Sequence, residues 1–257
     1  MLDRCSSAMK PTRAVIFDVD GTLLTDTIHQ DKHNFLISQV LHRPDLSLSA
    51  EEWQRIRGLS DDDAYRYIAT KAAAYTFALD TALPEATYLA LARSYVNDHI
   101  EEISIRPGVH ELLSVIEQFG LVIGVATNAD WPETEKKLSR TRLAKYFHFF
   151  ICLDGVMEPK PAPDLYRRGI GLVRDIVSSN IVPEQVLAIE DTYMGALAAQ
   201  RAGCRVIVWP QDGGEIYAND MTLAGQNVLI ATSIHDSIKY ICDSAGEISS
   251  REPFGHF

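Results

Sequence analysis

Two aspartates, Asp18 and Asp20, stand one residue apart where the apolar run Ala14-Val15-Ile16-Phe17 gives way to Gly21 and Thr22. On an extended chain such side chains point the same way, so the carboxylates could share a metal ion or divide the work of nucleophile and acid/base. A polar Asp-Gly turn after a strand is the bland alternative, and on this stretch alone both readings stay open. Thr127-Asn128 follows Gly124-Val125-Ala126 and offers a hydroxyl to a phosphate oxygen, assisted by backbone amides at the next helix start. Taken alone, such a pair is more often an ordinary cap or turn. Lys160 stands among Pro159, Pro161 and Pro163, which stiffen the loop and limit where its cation can go, although proline-rich turns before helices are common. Glu190-Asp191 leaves the run Val186-Leu187-Ala188-Ile189, either as a carboxylate pair for chemistry or as an acidic helix start suited to the dipole. Jointly the bland readings lose force. Four strand ends of one sheet would bring carboxylates, a hydroxyl and a lysine into one crevice.

The elements that must position these residues can be read from periodicity. Ala14 to Phe17 is too short for a helix and rich in β-branched and aromatic residues, which predicts a strand buried on both faces. From about Ile28 to Ile103 the chain carries helical patterns over Asn34–Leu41, Ala50–Ile56, Asp61–Ala73 and Ala86–Ile100. Ser49 with Glu51 and Glu52, and Ser60 ahead of Asp61 to Asp63, supply caps and acidic first turns. From Arg106 onward helix and short apolar strand alternate, which is the pattern of a parallel sheet with crossover helices. Helices are expected over Val109–Phe119, Pro132–Leu143, Ala162–Val177 and Gly195–Ala202, and strands over Leu121–Ala126, Phe149–Leu153, Gln185–Ile189, Arg205–Val208 and Val228–Ala231. The fold class is therefore α/β, with a helical unit inserted between the first and second strands. The expected division is a sheet core over 13–27 and 104–243, a helical domain over 28–103, and loose ends at 1–12 and 244–257.

At 257 residues and 46% hydrophobic the chain can bury a sizeable core without staples. The four cysteines, Cys5, Cys152, Cys204 and Cys242, lack close pairing or metal-ligand spacing and read as reduced thiols. A formal charge of -11 repels a phosphate backbone and argues against nucleic acid as a partner. The sequence shows no run of membrane-spanning length and no secretory signal pattern, so a cytoplasmic protein, monomeric or weakly dimeric, without a membrane partner, is expected.

The stretches Phe17-Asp18-Val19-Asp20-Gly21-Thr22, Ala126-Thr127-Asn128, Lys160-Pro161-Ala162-Pro163-Asp164 and Ile189-Glu190-Asp191-Thr192 resemble, in order and spacing, the four motifs of the haloacid dehalogenase superfamily. The run from Gly195 to Gly203 is similar to that family's helix after the fourth motif, and the helical insert falls where the family carries its cap. The resemblance implies a Rossmann-like core with helices on both faces and a magnesium-dependent phosphatase acting on a small phosphorylated metabolite. It implies that Asp18 is the nucleophile that forms an aspartyl-phosphate and that Asp20 protonates the leaving alcohol and then activates water. By the same resemblance Thr127 binds the phosphoryl group and Lys160 neutralises it. Asp191, Asp18, the backbone carbonyl of Asp20 and Glu190 are implied to hold Mg2+.

Within that family the loop Arg57-Gly58-Leu59-Ser60-Asp61 is similar to the cap loop of β-phosphoglucomutase, which makes Arg57 and Gly58, with Thr127 and Asn128, the candidates for contacting substrate. Arg55 is a further cation near that loop. Asp61 and Asp130 stand where the mutase has an arginine and a lysine for a second phosphate, so a substrate with one phosphate fits better. Either aspartate could instead cap its helix. A β-phosphoglucomutase-like mutase and a non-catalytic binding protein of the same fold are the alternatives. His29 and His33 lie four residues apart near the start of the insert, with no further ligand in the local sequence to make them a metal site.

Overall fold

The first strand, β1 (Ala14–Phe17), is buried along its whole length and pairs in parallel with β2 (Val122–Ala126) on one side and β4 (Val186–Glu190) on the other. The computed structural model describes residues 10–25, 27–41, 47–74, 83–156, 158–211 and 227–245. With β3 (Phe149–Ile151), β5 (Arg205–Val208) and β6 (Val228–Ile230) these strands form one six-stranded parallel sheet in the order β3-β2-β1-β4-β5-β6. The chain moves outward from β1 to β3, then returns to the other side of β1 for β4. That reversal opens a crevice at the carboxyl ends of the central strands.

Period-two alternation divides β1 between two cores. Val15 and Phe17 face a cluster with Leu112 and Ile116 of α5 (Val109–Gln118), Leu138 of α6 (Trp131–Arg140) and Ile241 of α9 (Ile234–Ala245). Ala14 and Ile16 face the other side, with Leu165 and Val173 of α7 (Asp164–Ile176) and Ala196 and Ala199 of α8 (Tyr193–Arg201). The expected α/β architecture, a parallel sheet with helices on both faces, is the one observed.

Between β1 and β2 run α1 (Thr27–Leu41), α2 (Ala50–Ile56), α3 (Asp61–Ala74) and α4 (Glu85–Asp98), which gather a core of their own around Leu36, Val40, Trp53, Ile56, Ile68 and Tyr88. Ser49 and Glu52 close a reciprocal capping box at the start of α2. The two chain crossings to this unit lie side by side, with Thr25 N donating to Ser104 O at 2.8 Å and Ser104 N to Thr25 Oγ1 at 3.1 Å.

Two features depart from the sequence expectations. The first is that α1 begins at Thr27 and not at Asn34, because His29, Lys32 and His33 break the apolar pattern by facing a cavity. The second is α9, which was not anticipated. Asp236 N donates to Ser233 Oγ while Asp236 Oδ2 accepts from Thr232 N and Ser233 N, so the helix is capped by its own polar start, and Ile241, buried, with Ile234 and Ile238, partly buried, packs against the core. The trailing segment expected to be loose from 244 therefore begins inside α9. At the other end Thr12 is buried, with its backbone N donating to Ser244 O and its Oγ1 2.7 Å from Ser244 Oγ. The rest of the two expected loose ends, 1–9 and 246–257, lies outside the described residues. Among the described residues no helix is long and apolar enough to cross a membrane.

Gly124 lies opposite Phe149 in the β2–β3 register, and a methyl group there would come within 2.2 Å of the Phe149 ring. A Gly124→Ala variant is expected to lose about 1–3 kcal/mol of stability through overpacking. A urea midpoint equal to wild type would refute the close approach.

Candidate active site

Register sets the floor of the crevice. Phe17 pairs with Val125 and with Ile189, so Asp18 emerges level with Ala126 and Glu190, one residue before Thr127 and Asp191. Lys160 enters from the loop before α7. Its Nζ donates to Asp18 Oδ1 at 2.5 Å and to Ala126 O at 2.8 Å, and lies 2.7 Å from Glu190 Oε1. All four expected stretches thus meet at one place. Asp18, Asp20, Arg57, Gly58, Thr127, Asn128, Lys160 and Asp191 line one cavity of about 350 Å³ between the sheet edge and the helical unit, with Glu190 just beneath it.

Glycines make room for the acids. Gly21, at φ +87°, lies so close to Asp191 that a β-carbon would come within 2.1 Å of Oδ2, and a β-carbon at Gly195 would come within 2.0 Å of Glu190 Oε2. Gly58, at φ +81°, approaches Thr192 so closely that a β-carbon would lie 2.8 Å from its Oγ1. Asn128 is a strut. Its Oδ1 accepts from Lys160 N and its Nδ2 donates to Gly58 O, both at 2.9 Å. Arg57 crosses from the helical unit to place Nη2 2.8 Å from Asp191 Oδ2, with both side chains almost fully buried.

Two carboxylates face opposite electrostatics. Burial pushes Asp18 well above the usual carboxylate range, Lys160 opposes that, and Glu190 and Asp191 add to it. Burial also raises Asp20, but Lys137 and then His29 outweigh it and hold this carboxyl far below its usual range. Lys137 Nζ donates to both oxygens of Asp20, at 2.9 and 2.8 Å, and also to Glu133. His29 Nε2 lies 3.2 Å from Asp20 Oδ1.

Glu133 and Lys137 were missed by the sequence reading, and His29 was considered there only as a metal ligand and set aside. Glu133 and Lys137 are four apart on α6 and look like an exposed helix pair, yet the Lys137 side chain is 0% exposed. The ligands that local sequence did not supply to His29 come from elsewhere: Asp20, His29 and Glu133 offer atoms within 4.8 Å of one another, with the Lys137 ammonium at Asp20 and Glu133. Tyr166 was also missed; its hydroxyl donates to Glu190 Oε1. Asp130 caps α6 by accepting from Glu133 N at 3.0 Å and also meets Arg93 at 3.1 Å, whereas Asp61 pairs with Lys32.

A divalent cation fits the floor. Asp18, Glu190 and Asp191 present carboxylate oxygens within 4.8 Å of one another, and Glu190 Oε2 is buried with no hydrogen-bond partner. Such an all-oxygen, anionic donor set suits a hard ion.

A family model for haloacid dehalogenase-like hydrolases matches residues 15–209. Protein CbbY of Cereibacter sphaeroides is 30% identical over 204 residues, covering 77% of this chain and 84% of that protein. The N-acetylmuramic acid 6-phosphate phosphatase of Pseudomonas putida is 28% identical over 219 residues, covering 82% of this chain and 91% of that protein. Among solved structures, β-phosphoglucomutase from Clostridium difficile superposes with a TM-score of 0.69 at 20% identity, covering 92% of this chain and 98% of that one.

Replacing Lys137 by Met leaves Asp20 and Glu133 facing each other without their cation. At neutral pH the loss of stability is expected to be about 3–5 kcal/mol. In wild type the depressed Asp20 contributes stability above the unfolded carboxyl value, and that contribution declines as pH falls below about 4. The gap between wild type and variant should therefore narrow in acid. Urea unfolding at pH 7 and pH 3.5 checks this, and a gap that widens would contradict it.

Proposed function

The chain belongs to the haloacid dehalogenase-like hydrolase family, and from that premise we propose that it is a magnesium-dependent phosphatase of a small phosphomonoester metabolite, a sugar phosphate or similar ester. The observation that carries this reading is Lys160 Nζ, held 2.5 Å from Asp18 Oδ1 on the floor of the cavity beneath the helical unit. Relatives named as acting on sugar phosphates, such as the N-acetylmuramic acid 6-phosphate phosphatase, support the substrate class.

In this reading Asp18, with Oδ1 engaged by Lys160, attacks phosphorus through Oδ2 as the ester P–O bond breaks. Thr127 Oγ1 and the Lys160 ammonium bind the oxygens of the transferring group. Asp20 gives a proton to the departing alkoxide and then takes one from the water that cleaves the aspartyl-phosphate, which returns Asp18. Lys137 holds Asp20 in the ionised form that the second duty needs, so the first requires Asp20 to leave Lys137 and take up a proton as substrate binds. Mg2+ held by Asp18, Asp191, Glu190 and the Asp20 carbonyl would neutralise charge on the phosphoryl group. The helical unit serves as the cap, with Arg57 and Gly58 closing over the carboxylates to exclude water. We place the enzyme in the cytoplasm, as a monomer or weak dimer.

A phosphosugar mutase is the second reading, because the loop from Arg57 to Ser60 resembles that of β-phosphoglucomutase. Phosphate release from a panel of small phosphomonoesters, with magnesium or with chelator, separates the two. Wild type is expected to release phosphate only with metal, and Asp18→Asn to lower the rate about a thousandfold or more. Isomerised product without free phosphate selects the mutase, and release that survives Asp18→Asn overturns the phosphatase mechanism.

A further inference from the structure

The far wall of the cavity, opposite the carboxylates, is built around an ion pair between two helices of the cap. Lys32 of α1 places Nζ 2.7 Å from Asp61 Oδ1 at the start of α3, with the lysine side chain 4% and the aspartate side chain 27% exposed. That pair is not saturated. The ammonium keeps two further N–H groups and Asp61 keeps Oδ2, which takes no other hydrogen bond among the described residues. A hydroxyl is both donor and acceptor, so a carboxylate and an ammonium side by side match it. Trp53 and Leu89 line the same cavity and supply apolar surface for the carbon skeleton that bears such a hydroxyl.

The cations around this pair are all engaged. Each lysine or arginine facing the cavity meets a carboxylate: Lys160 and Arg57 hold Asp18 and Asp191 at the floor, and Arg93 meets Asp130 at 3.1 Å. Neighbouring His33 adds no charge, since burial, followed by Lys32, pushes it down to about 3. Burial raises Asp61, but Lys32 and then His33 bring it down to about 2, so its charge persists at neutral pH. Asp62 and Asp154 also face the cavity, without an ion-pair partner among the described residues. No cation there is left over for a carboxylate or a second phosphate, and the surplus charge is negative.

We propose that Lys32 and Asp61 read a hydroxyl of the leaving alcohol and reject phosphomonoesters whose leaving group carries its own negative charge. This rests on the phosphatase reading and names its substrate class: a phosphate ester of a neutral polyol or sugar. The selectivity comes from a difference of two terms. The hydroxyl gains two complementary hydrogen bonds, while an anion in its place faces Asp61 with Lys32 already neutralised.

The test compares kcat/KM for pairs of esters that differ at one group: sorbitol 6-phosphate against 6-phosphogluconate, and glycerol 3-phosphate against 3-phosphoglycerate. Wild type is expected to favour the neutral member by about a hundredfold. Asp61→Asn frees Lys32 and should shrink the ratio by about tenfold or more, whereas Lys32→Gln leaves Asp61 uncompensated and should enlarge it. Both substrates are measured on one preparation, so the ratio does not depend on how much of a variant folds. A ratio that neither variant moves, or a wild type that favours the anionic ester, overturns the role of the pair and leaves the phosphatase standing if p-nitrophenyl phosphate is still cleaved by wild type and not by Asp18→Asn. Wild type that cleaves none of these esters overturns both.

Discussion

Crowding of like charge at the carboxyl ends of β1 and β4 is the constraint around which the rest of the molecule is arranged. Asp18, Glu190 and Asp191 come together because two strands in parallel register end at the same level. Carboxylates packed this closely and this deeply repel, and each is costly to ionise away from water. The chain answers with buried cations at fixed points. Lys160 lies between Asp18 and Glu190, and Arg57 reaches Asp191 from the helical unit. The Tyr166 hydroxyl donates to the Glu190 oxygen that Lys160 also meets, leaving Oε2 buried without a hydrogen-bond partner. Each carboxylate of this floor is thus held by a buried partner at a fixed point.

The supports of this floor are mostly absences of side chain. Gly21 and Gly195 have no room for a β-carbon beside Asp191 and Glu190. Arg106 holds the turn from outside, donating to Trp209 O at 3.0 Å and to Gly21 O, with its guanidinium 3.6 Å from the centre of the Trp209 ring. The turn after β1 is thereby fixed to the far end of β5. A site spread over four loops thus behaves as one object, since each loop is tied to a neighbour by a buried charge or a close backbone approach.

What the sequence made legible follows from this. Asp18, Thr127 and Asp191 were readable because each follows an apolar strand with no other outlet for its polarity, and a parallel sheet forces strand ends together. The same logic found β1 to β6 within a residue or two at either end. It failed where polarity had two possible meanings. His29, Lys32 and His33 blurred the start of α1, since a helix that turns polar residues toward a cavity resembles a loop in its pattern. Lys137 and Glu133 have the i, i+4 spacing of an ordinary exposed helix pair, and only the packing of α6 against the sheet domain turns that pair inward to Asp20. Gly58 and Asn128, read as contacts for substrate, line the cavity, and their links to Thr192, Lys160 and each other are a matter of distance that spacing along the chain does not encode.

The helical unit meets the sheet domain through apolar packing, with Ile28 and Val96 in the same buried cluster as Val15 and Phe17, and through buried charge above the floor. Among the polar contacts that reach the site from the helical unit are Arg57 to Asp191, Gly58 O to Asn128 and His29 to Asp20. A buried ion pair gains from its partner only while water is excluded and the geometry holds, and breaking it leaves a charge uncompensated. The helical unit therefore cannot lift away from the floor without exposing Asp191 to water or handing it to another cation. Because Asp191 belongs to the same carboxylate set that would hold a divalent ion, the charge balance of the floor and the seating of the unit above it are one equilibrium. The Arg57–Asp191 pair thus couples the seating of the helical unit to the charge of the floor beneath it.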